Sequence, residues 1–196
     1  MPESPVDSRR VTSVAELSRV GLELFLQNGF EGTTVEDIAT AAGISRRTFF
    51  RYFASKNDVP WGDFDVLVDR LRTHLRATPA GVSTIAALHA AIVDFNDYPK
   101  AEQDRHRQRM DLLLNVPVLV AHSTLRYASW RQAIAEFIAA RSGTSVAALR
   151  PHVVSWAYQA ASIASYEVWL RQPRVELTAV LDEALTTLEQ EFRRPA

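Results

Sequence analysis

The chain has 196 residues, 47% of them apolar, and a formal net charge of −1, which allows one domain or two small ones with a substantial core. It contains no cysteine, so disulfides, thiolate metal ligands and cysteine nucleophiles are excluded. We find neither a signal-peptide pattern nor an uninterrupted apolar run that could span a bilayer, and expect a cytoplasmic protein with no membrane partner.

The N-terminal residues predict a short arm followed by a helix. Residues 1–9 contain two prolines and no apolar periodicity, and we expect a disordered arm. From Arg10 to Asn28 the apolar residues recur at helical spacing. The pair Asn28-Gly29 then predicts a left-handed cap that ends this helix.

The stretch 33–56, TTVEDIATAAGISRRTFFRYFASK, predicts two short helices joined by a turn. Thr33 is followed three residues later by Glu36, which is the spacing of a capping box. Gly43 can adopt the left-handed turn that other residues reach only at a cost. Ser45 is then expected to cap the second helix.

Charge placement distinguishes this pair of helices from an ordinary helical hairpin. Between Arg46 and Lys56 there are four basic residues and no acidic one, on a chain that is nearly neutral overall. Phe49 and Phe53 fall on the opposite face and are expected to be core. A solvated charged surface remains the alternative, but local positive charge favours a helix-turn-helix that reads DNA with residues 46–53.

The rest of the chain predicts only helices. Ser55 is expected to begin a long fourth helix, in which Pro60 and Gly62 predict a kink or a late start that could act as a hinge. A proline that is simply tolerated in the first turn of the helix explains Pro60 equally well. Residues 78–83 predict a linker. Breaks at proline and glycine then divide the remaining sequence into helices at about 83–97, 99–114, 117–141, 145–171 and 175–193.

Aromatic residues in two of these helices, together with residues of the helix before them, suggest an apolar cavity with a few polar groups. Such a lining suits an amphipathic small molecule, although core packing explains the same residues equally well. The residues predicted to line a ligand site are Met110, Leu113, Leu114, Tyr127, Trp130, His152, Trp156, Tyr158, Ser162, Tyr166 and Trp169.

Signatures of the common enzyme classes do not occur in the sequence. No histidine has a glutamate three residues before it, as a helical carboxylate-bridged metal site requires. There is no H-E-x-x-H motif, phosphate-binding glycine loop or G-x-S-x-G elbow. Glu102 and His106 share a helix face, but in the charged run KAEQDRHRQR we expect solvated surface, with a phosphate-bearing ligand as a weaker alternative. We therefore expect no enzyme activity, metal or cofactor.

Residues 21–59, GLELFLQNGFEGTTVEDIATAAGISRRTFFRYFASKNDV, resemble the DNA-binding domain of the TetR family of transcriptional repressors. The resemblance combines the NGF end of the first helix, the TTVEDIA opening of the second, the AGIS turn and the TFFRYF close. It implies that double-stranded operator DNA is a partner. The implied contact residues are Thr33, Thr34, Ser45, Arg46, Arg47, Thr48, Phe50, Arg51, Tyr52 and Lys56.

Part of this set is expected to contact only the DNA backbone. The resemblance implies that Thr33 and Thr34 contact phosphate at the start of the second helix. Tyr52 and Lys56 match the family's phosphate clamps, which set the register of the protein on the duplex without reading its sequence.

Another part of the set is expected to reach the bases. Arg46 and Arg47 match positions that lie in the major groove, where a guanidinium can bond guanine O6 and N7 together. Thr48 would contact a thymine methyl or a phosphate. The sequence departs from the family at Phe50, where a tyrosine is common, so that hydroxyl contact should be replaced by an apolar one.

The last two helices carry stripes that the resemblance assigns to a homodimer interface. A four-helix bundle of these helices and their symmetry mates is implied, although both stripes can also be explained by the subunit's own core. The first stripe is Ala157, Ala160, Ala161, Ala164 and Ser165, and the second is Leu177, Leu181, Ala184, Leu185, Leu188 and Phe192.

The resulting prediction is an all-α protein with a three-helix helix-turn-helix domain over residues 10–55 and a six-helix ligand-binding and dimerisation domain over residues 56–196. By resemblance, it would be a homodimeric repressor of palindromic operators, released when a small apolar or amphipathic effector such as an acyl-CoA tilts the fourth helix. The alternative is a small helical lipid or acyl carrier, or an enzyme, that uses the cavity and has an N-terminal interaction module. Only the repressor should bind DNA with an affinity that falls steeply with salt.

Overall fold

The computed structural model describes residues 13–193, with side chains through Glu191, and contains no strand in that part of the chain. The all-α fold is confirmed. The predicted arm, residues 1–9, lies outside the described residues. The helices are α1 Val14–Asn28, α2 Val35–Ala41, α3 Arg46–Tyr52, a 3₁₀ helix Lys56–Trp61, α4 Phe64–Ala77, α5 Thr84–Phe95, α6 Lys100–Asn115, α7 Pro117–Ser142, α8 Leu149–Arg171 and α9 Leu177–Arg193.

The first three helices enclose a small apolar core. Leu17 and Phe25 of α1 pack with Ile38 of α2 and Phe49 of α3, and each of these side chains is at most 1% exposed. Two such short helices could not bury this much apolar surface without α1. Phe53, just after α3, is also buried, so the prediction that Phe49 and Phe53 are core is confirmed.

The predicted capping box is wrong by one residue. Thr34, not Thr33, caps α2: its hydroxyl accepts from the Asp37 backbone amide at 3.1 Å, and Asp37 accepts from the Thr34 amide at 2.8 Å. Thr33 is instead fully buried, and its hydroxyl donates to the carbonyls of Gly29 and Leu24. Both threonines have an acidic residue three positions on, so the sequence pattern alone could not separate them.

The predicted late start of the fourth helix is confirmed, but Ser55 does not begin an α-helix. The chain forms the 3₁₀ helix, turns at Gly62 with a φ of +51°, and enters α4 only at Phe64. Pro60 lies inside the 3₁₀ segment, where its missing amide breaks the α-helical hydrogen bonding. The 3₁₀ segment Lys56–Trp61 joins helices α1 to α3 to the rest of the molecule and is called the linker below.

Helices α4 to α9 form the second part of the structure. The α4–α5 loop is fixed by Arg141 of α7, which donates to the carbonyls of Thr78, Pro79, Ala80 and Val82. Helix α8 begins at Leu149 rather than near residue 145, because residues 144–148 form a turn. No helix among residues 13–193 combines the length and apolar character needed to cross a membrane.

The apolar stripe of α9 packs inside its own subunit. Leu181 and Leu185 are fully buried and Leu177 nearly so, and α9 lies against α8 and α5. The prediction that this stripe faces a second subunit is therefore wrong for these residues. The side chain of Phe192 lies beyond the described ones.

Candidate DNA-reading surface and effector cavity

Helix α3 has a buried face and an exposed, basic face. Ser45 caps its N-terminus, where the Ser45 hydroxyl accepts from the Thr48 backbone amide at 3.1 Å and bonds the Thr48 hydroxyl at 2.9 Å. Phe49 faces the core, while Arg47 and Phe50 are exposed, Phe50 at 45%. Because α3 contains no acidic residue, its open face is positively charged.

The arginines of α3 differ in the contacts that they already make with other side chains of the protein. Arg46 forms a 2.6 Å ion pair with Glu36 of α2 and lies over the Phe50 ring. Arg51 lies over the Tyr52 ring, 5.7 Å from its centroid. Arg47 is exposed, and residues 13–193 give it no ion pair. A base contact by Arg46 would have to replace Glu36, whereas Arg47 can bind an acceptor directly.

Three predicted phosphate contacts have different surroundings. Thr34 is exposed but is already the α2 cap. Thr33 is buried with its hydroxyl directed to backbone carbonyls, so it has no side-chain oxygen to offer a phosphate. Lys56 donates to the carbonyls of Phe30 and Thr33 at 2.8 and 3.0 Å, so one of its three N–H groups is left for DNA.

The linker is held from both sides. On the side of α1, the Ser18 hydroxyl donates to the Val59 carbonyl at 2.7 Å. On the side of α7, His122 Nε2 lies 2.9 Å from an Asp58 carboxylate oxygen. Burial alone would raise the pKa of Asp58, but hydrogen bonds from Ser55 and His122, with the positive charges of His122 and Arg126, outweigh it and lower the pKa.

Directly beyond the linker lies an apolar cavity of about 50 Å³. Its walls come from the linker and from α4, α5, α6, α7 and α8. Trp61 packs edge-on against Phe64 and against Tyr127 of α7, with ring centroids 5.0 Å apart in both pairs. The cavity therefore shares its wall with the segment that carries the DNA-reading helices.

A buried polar chain crosses one side of this cavity. Tyr166 of α8 donates to the Asn96 side-chain oxygen, and the Asn96 amide donates to the Ile92 carbonyl at 2.7 Å. Because the hydroxyl proton of Tyr166 is donated to Asn96, the 3.2 Å contact between His106 Nε2 and the Tyr166 oxygen requires the imidazole N–H to donate. Burial, with a further contribution from Arg109, lowers the pKa of His106 to about 3. His106 is thus a neutral imidazole with its Nδ1 lone pair free.

Comparison with known proteins identifies the family. Residues 17–59 match the model of the N-terminal domain of bacterial regulatory proteins of the tetR family, and residues 82–193 match the MftR C-terminal domain. The chain belongs to the TetR family of transcriptional regulators. It is 43% identical, over 93% of its length and 92% of the relative's, to a Mycobacterium tuberculosis protein provisionally named mycofactocin biosynthesis transcriptional regulator MftR. The HTH-type transcriptional regulator TcmR of Streptomyces glaucescens is 30% identical over 92% of this chain and 86% of that relative.

Solved structures of other TetR proteins share the fold at low sequence identity. The fatty acid degradation regulator FadR of Bacillus halodurans has a TM-score of 0.67 at 16% identity, over 95% of this chain and all of that one. Thermus thermophilus FadR, solved with lauroyl-CoA, has a TM-score of 0.60 at 23% identity, over 92% and 95%. Bacillus subtilis FadR, solved with stearoyl-CoA, has 0.63 at 15%, over 88% and 95%.

The MftR C-terminal match also bears on a narrower likeness within the TetR family. The segment SKNDVPWGDFD, with the chain as a whole, resembles the regulator encoded with mycofactocin biosynthesis clusters. The matched C-terminal domain and the relative at 43% identity confirm this relation.

The cavity of this TetR protein contains some of the predicted ligand residues but not others. Leu114, Tyr158 and Trp169 do not line it, and His152 and Trp156 are exposed on the outer face of α8. These five residues therefore lie outside this cavity. For the four on α8, aromatic side chains occur on both faces of the helix, and spacing alone did not show which face is internal. The predicted residues that do line the cavity are Met110, Leu113, Tyr127, Trp130, Ser162 and Tyr166.

Sequence reasoning missed the polar side of the cavity. His106 was expected at a solvated surface beside Glu102 but is only 5% exposed, stacked on Tyr98 with ring centroids 3.8 Å apart. Arg109 also lines the cavity. Both belong to the charged run of α6, and their spacing of three places them on one helix face. Met110 and Leu113 are apolar and lie on the same side of α6, and this was the feature of the sequence that could have indicated that His106 and Arg109 face the interior.

Proposed function

We propose that this TetR regulator is a homodimeric repressor that binds palindromic operator DNA and is released by a lipophilic effector such as an acyl-CoA. The observation that carries the proposal is α3, whose core face is fixed by Phe49 while Arg47 and Arg51 project from the opposite side. A rigid basic helix of this kind fits the major groove, where Arg47 can bond guanine.

The outer face of α8 supports a dimer. Its inward face is largely polar or aromatic, whereas Leu149, Val153 and Trp156 are 77%, 50% and 43% exposed. Ala160 and Ala164 continue the exposed row and would let another helix approach closely. A helix that is more apolar outside than inside is typical of a subunit interface. Two-fold symmetry would present two α3 helices to the two halves of a palindrome.

The small apolar cavity supports regulation by an apolar ligand. Pockets that hold drug-sized ligands have volumes of roughly 300–1,000 Å³, and this cavity has about 50 Å³. An acyl chain could therefore enter only by separating its walls, and one of those walls is the linker. FadR proteins of Thermus thermophilus and Bacillus subtilis bind lauroyl-CoA and stearoyl-CoA in their solved structures, which is consistent with an acyl-CoA effector.

The linker offers a route from the cavity to α3. Displacing Trp61 would move Val59, whose carbonyl is bonded to Ser18 of α1. A ligand shifts such an equilibrium only by the difference between its affinities for the two arrangements, and about 1–3 kcal/mol is typical of allosteric coupling. The proposed effector therefore has to prefer the arrangement in which the linker has moved.

Binding to the promoter DNA beside the gene tests the proposal. Affinity should fall steeply as salt rises, because phosphate contacts release counterions. Arg47→Ala should reduce affinity for the specific site by about 1–3 kcal/mol for each base that the guanidinium reads and change affinity for scrambled DNA less. Arg174→Ala, in the exposed α8–α9 loop, is the matched control. A protein that ignores DNA but binds lauroyl-CoA would indicate a carrier instead.

A further inference from the structure

A surface groove of about 490 Å³ runs between α1, the turn after the linker and α6. Its inner end adjoins the effector cavity. The groove and the cavity share five lining residues, Trp61, Leu67, Tyr98, His106 and Arg109, and this shared wall is called the passage below. The passage is the place where a ligand could extend from the apolar cavity to the surface beside α1.

The passage carries one cationic side chain and no carboxylate. Arg109 is the charged member of the set, and Glu16, Asp63 and Glu102 line only the outer groove, where they are exposed or close to solvent. Burial lowers the pKa of the Arg109 guanidinium, because a charge held away from water lacks solvation. Glu102 of the outer groove attracts the Arg109 guanidinium, but no acidic residue lines the cavity on its inner side.

Three buried polar atoms of the passage have no hydrogen-bond partner in the described part of the chain. They are Trp61 Nε1, Arg109 Nε and His106 Nδ1. Trp61 and Arg109 are donors, while His106 Nδ1 is an acceptor because its other nitrogen donates to Tyr166. Buried polar groups of this kind are rarely left unpaired, and the two donors, Trp61 Nε1 and Arg109 Nε, indicate a ligand group with acceptor atoms there.

We propose that the passage binds the anionic head of an amphiphilic effector, whose oxygen atoms accept hydrogen bonds from Arg109 and Trp61. This inference rests on the proposed function, since it places the effector's apolar chain in the cavity. The chemical class is a carboxylate or phosphate joined to an apolar chain. The remainder of a larger head would lie in the groove, where Ser13, Glu16 and Arg19 of α1 form the opposite wall, and would contact the DNA-reading domain directly.

Four probes with twelve-carbon chains separate the head from the tail: dodecanoate, dodecyl phosphate, lauroyl-CoA and neutral 1-dodecanol. Their dissociation constants for the full chain and for Arg109→Gln are measured by calorimetry. Removing a charged hydrogen bond should weaken the two anionic probes whose acidic group is joined directly to the chain, dodecanoate and dodecyl phosphate, about tenfold or more, and dodecanol by less than about twofold. Dodecanoate and dodecyl phosphate show which acidic group fits, and lauroyl-CoA shows whether a larger head is accepted.

Two further variants separate the loss of a hydrogen bond to the head group from a general disturbance of the structure. Trp61→Phe keeps an aromatic ring and removes the donor, so it should weaken the anionic probes alone, by about fivefold. Arg174→Gln removes a surface charge that does not line the groove and should change nothing. An equal weakening of all four probes in Arg109→Gln would show that Arg109 merely shapes the cavity, and would overturn the inference.

Release from operator DNA distinguishes this inference from the proposed function. If dodecanoate and dodecyl phosphate release the unmodified protein and Arg109→Gln at the same concentrations, the anionic-head site is wrong and the repressor proposal stands. If the unmodified protein neither binds the promoter nor responds to any of the four probes, the proposed function itself fails.

Discussion

The DNA-reading domain and the effector cavity satisfy their polar side chains over very different distances along the chain. In the first, Thr34 bonds Asp37 and Ser45 bonds Thr48, each across three residues. In the second, His106 bonds Tyr166 across 60 residues, and Tyr166 bonds Asn96 across 70. A local motif can therefore specify the caps of α2 and α3, whereas the cavity exists only once distant helices have packed.

The two regions also differ in their exposure to water. Arg47 of α3 is exposed, so its charge is stabilised by solvent until DNA replaces that solvent. His106 is buried, and its pKa is lowered to about 3. One region thus keeps its charges available for a partner, and the other keeps the imidazole of His106 neutral beside an apolar space.

The largest predicted effect concerns the outer face of α8, which the subunit leaves uncovered. Val153→Glu places a charge on this face and should give a monomer at micromolar concentration. Operator affinity should then fall by about 10²–10⁴-fold, because the second half-site is no longer tethered to the first. Light scattering after size exclusion measures the oligomeric state, and gel shift measures the affinity.

Val66→Glu provides the control for that substitution. Val66 of α4 is 58% exposed, comparable with Val153, so both variants add one carboxylate at an open apolar position. Val66→Glu should remain dimeric with unchanged operator affinity. If both variants stay dimeric, the outer face of α8 is not the surface through which two subunits associate.

The accuracy of the sequence-based predictions also differs between the DNA-reading domain and the cavity. Local patterns placed the Gly43 turn, the Ser45 cap and the late start of α4 correctly, and missed the α2 cap by one residue. The error at Thr33 could be seen only from its burial, which depends on the contact with α1. In the cavity, the inward face of α8 depends on which helix packs against it, so the spacing could not show that Trp156 is exposed while Tyr166 lines the cavity.

The titration of His106 should dominate the acid sensitivity of the cavity. Its folded pKa of about 3 lies below the ordinary value of about 6.5. The unfolded chain therefore takes up a proton that the folded protein excludes, and the free energy of unfolding falls as pH drops from 6.5 towards 3, by about 1.4 kcal/mol per pH unit. Between pH 7 and pH 5 the decrease is about 2 kcal/mol.

His106→Gln should remove this sensitivity and keep a donor for Tyr166. The groups facing His106 are Tyr98, Tyr166 and Arg109, and none of them titrates between pH 5 and pH 7. Urea unfolding at both pH values measures the effect. If the difference between pH 7 and pH 5 is the same in the variant as in the unmodified protein, His106 is not the neutral buried group described above.

Gly21 tests the contact between the two regions. A Cβ at Gly21 of α1 would lie 2.4 Å from Val59 Cγ1 of the linker, and valine has little rotamer freedom with which to move away. Gly21→Ala should gain up to about 1 kcal/mol in helix propensity but lose about 1–3 kcal/mol to overpacking, for a net destabilisation of about 1–2 kcal/mol. Urea unfolding measures this change.

Gly81→Ala is the matched substitution in a loop. A Cβ at Gly81 would have no heavy atom within 4 Å, so this variant should be neutral or slightly stabilised. Equal stability of the two alanine variants would mean that the linker yields readily at Val59, and that the two regions are less firmly joined than Ser18 and Gly21 suggest.

The smallest predicted effect is at the most local contact, the α2 cap. Thr34→Ala removes the hydroxyl that accepts from the Asp37 amide and should destabilise the protein by about 1 kcal/mol. Hydrogen bonds from the Thr34 hydroxyl and backbone amide lower the pKa of Asp37, so the same variant should raise that pKa towards its ordinary value.

Thr34→Ser keeps the cap and should change neither the stability nor the Asp37 pKa. Thr40→Ala, at an exposed threonine of the same helix, should leave the Asp37 pKa unchanged. An NMR titration of Asp37 reads this contact without depending on global unfolding. An unchanged pKa in Thr34→Ala would place the cap elsewhere and remove the clearest example of local pairing.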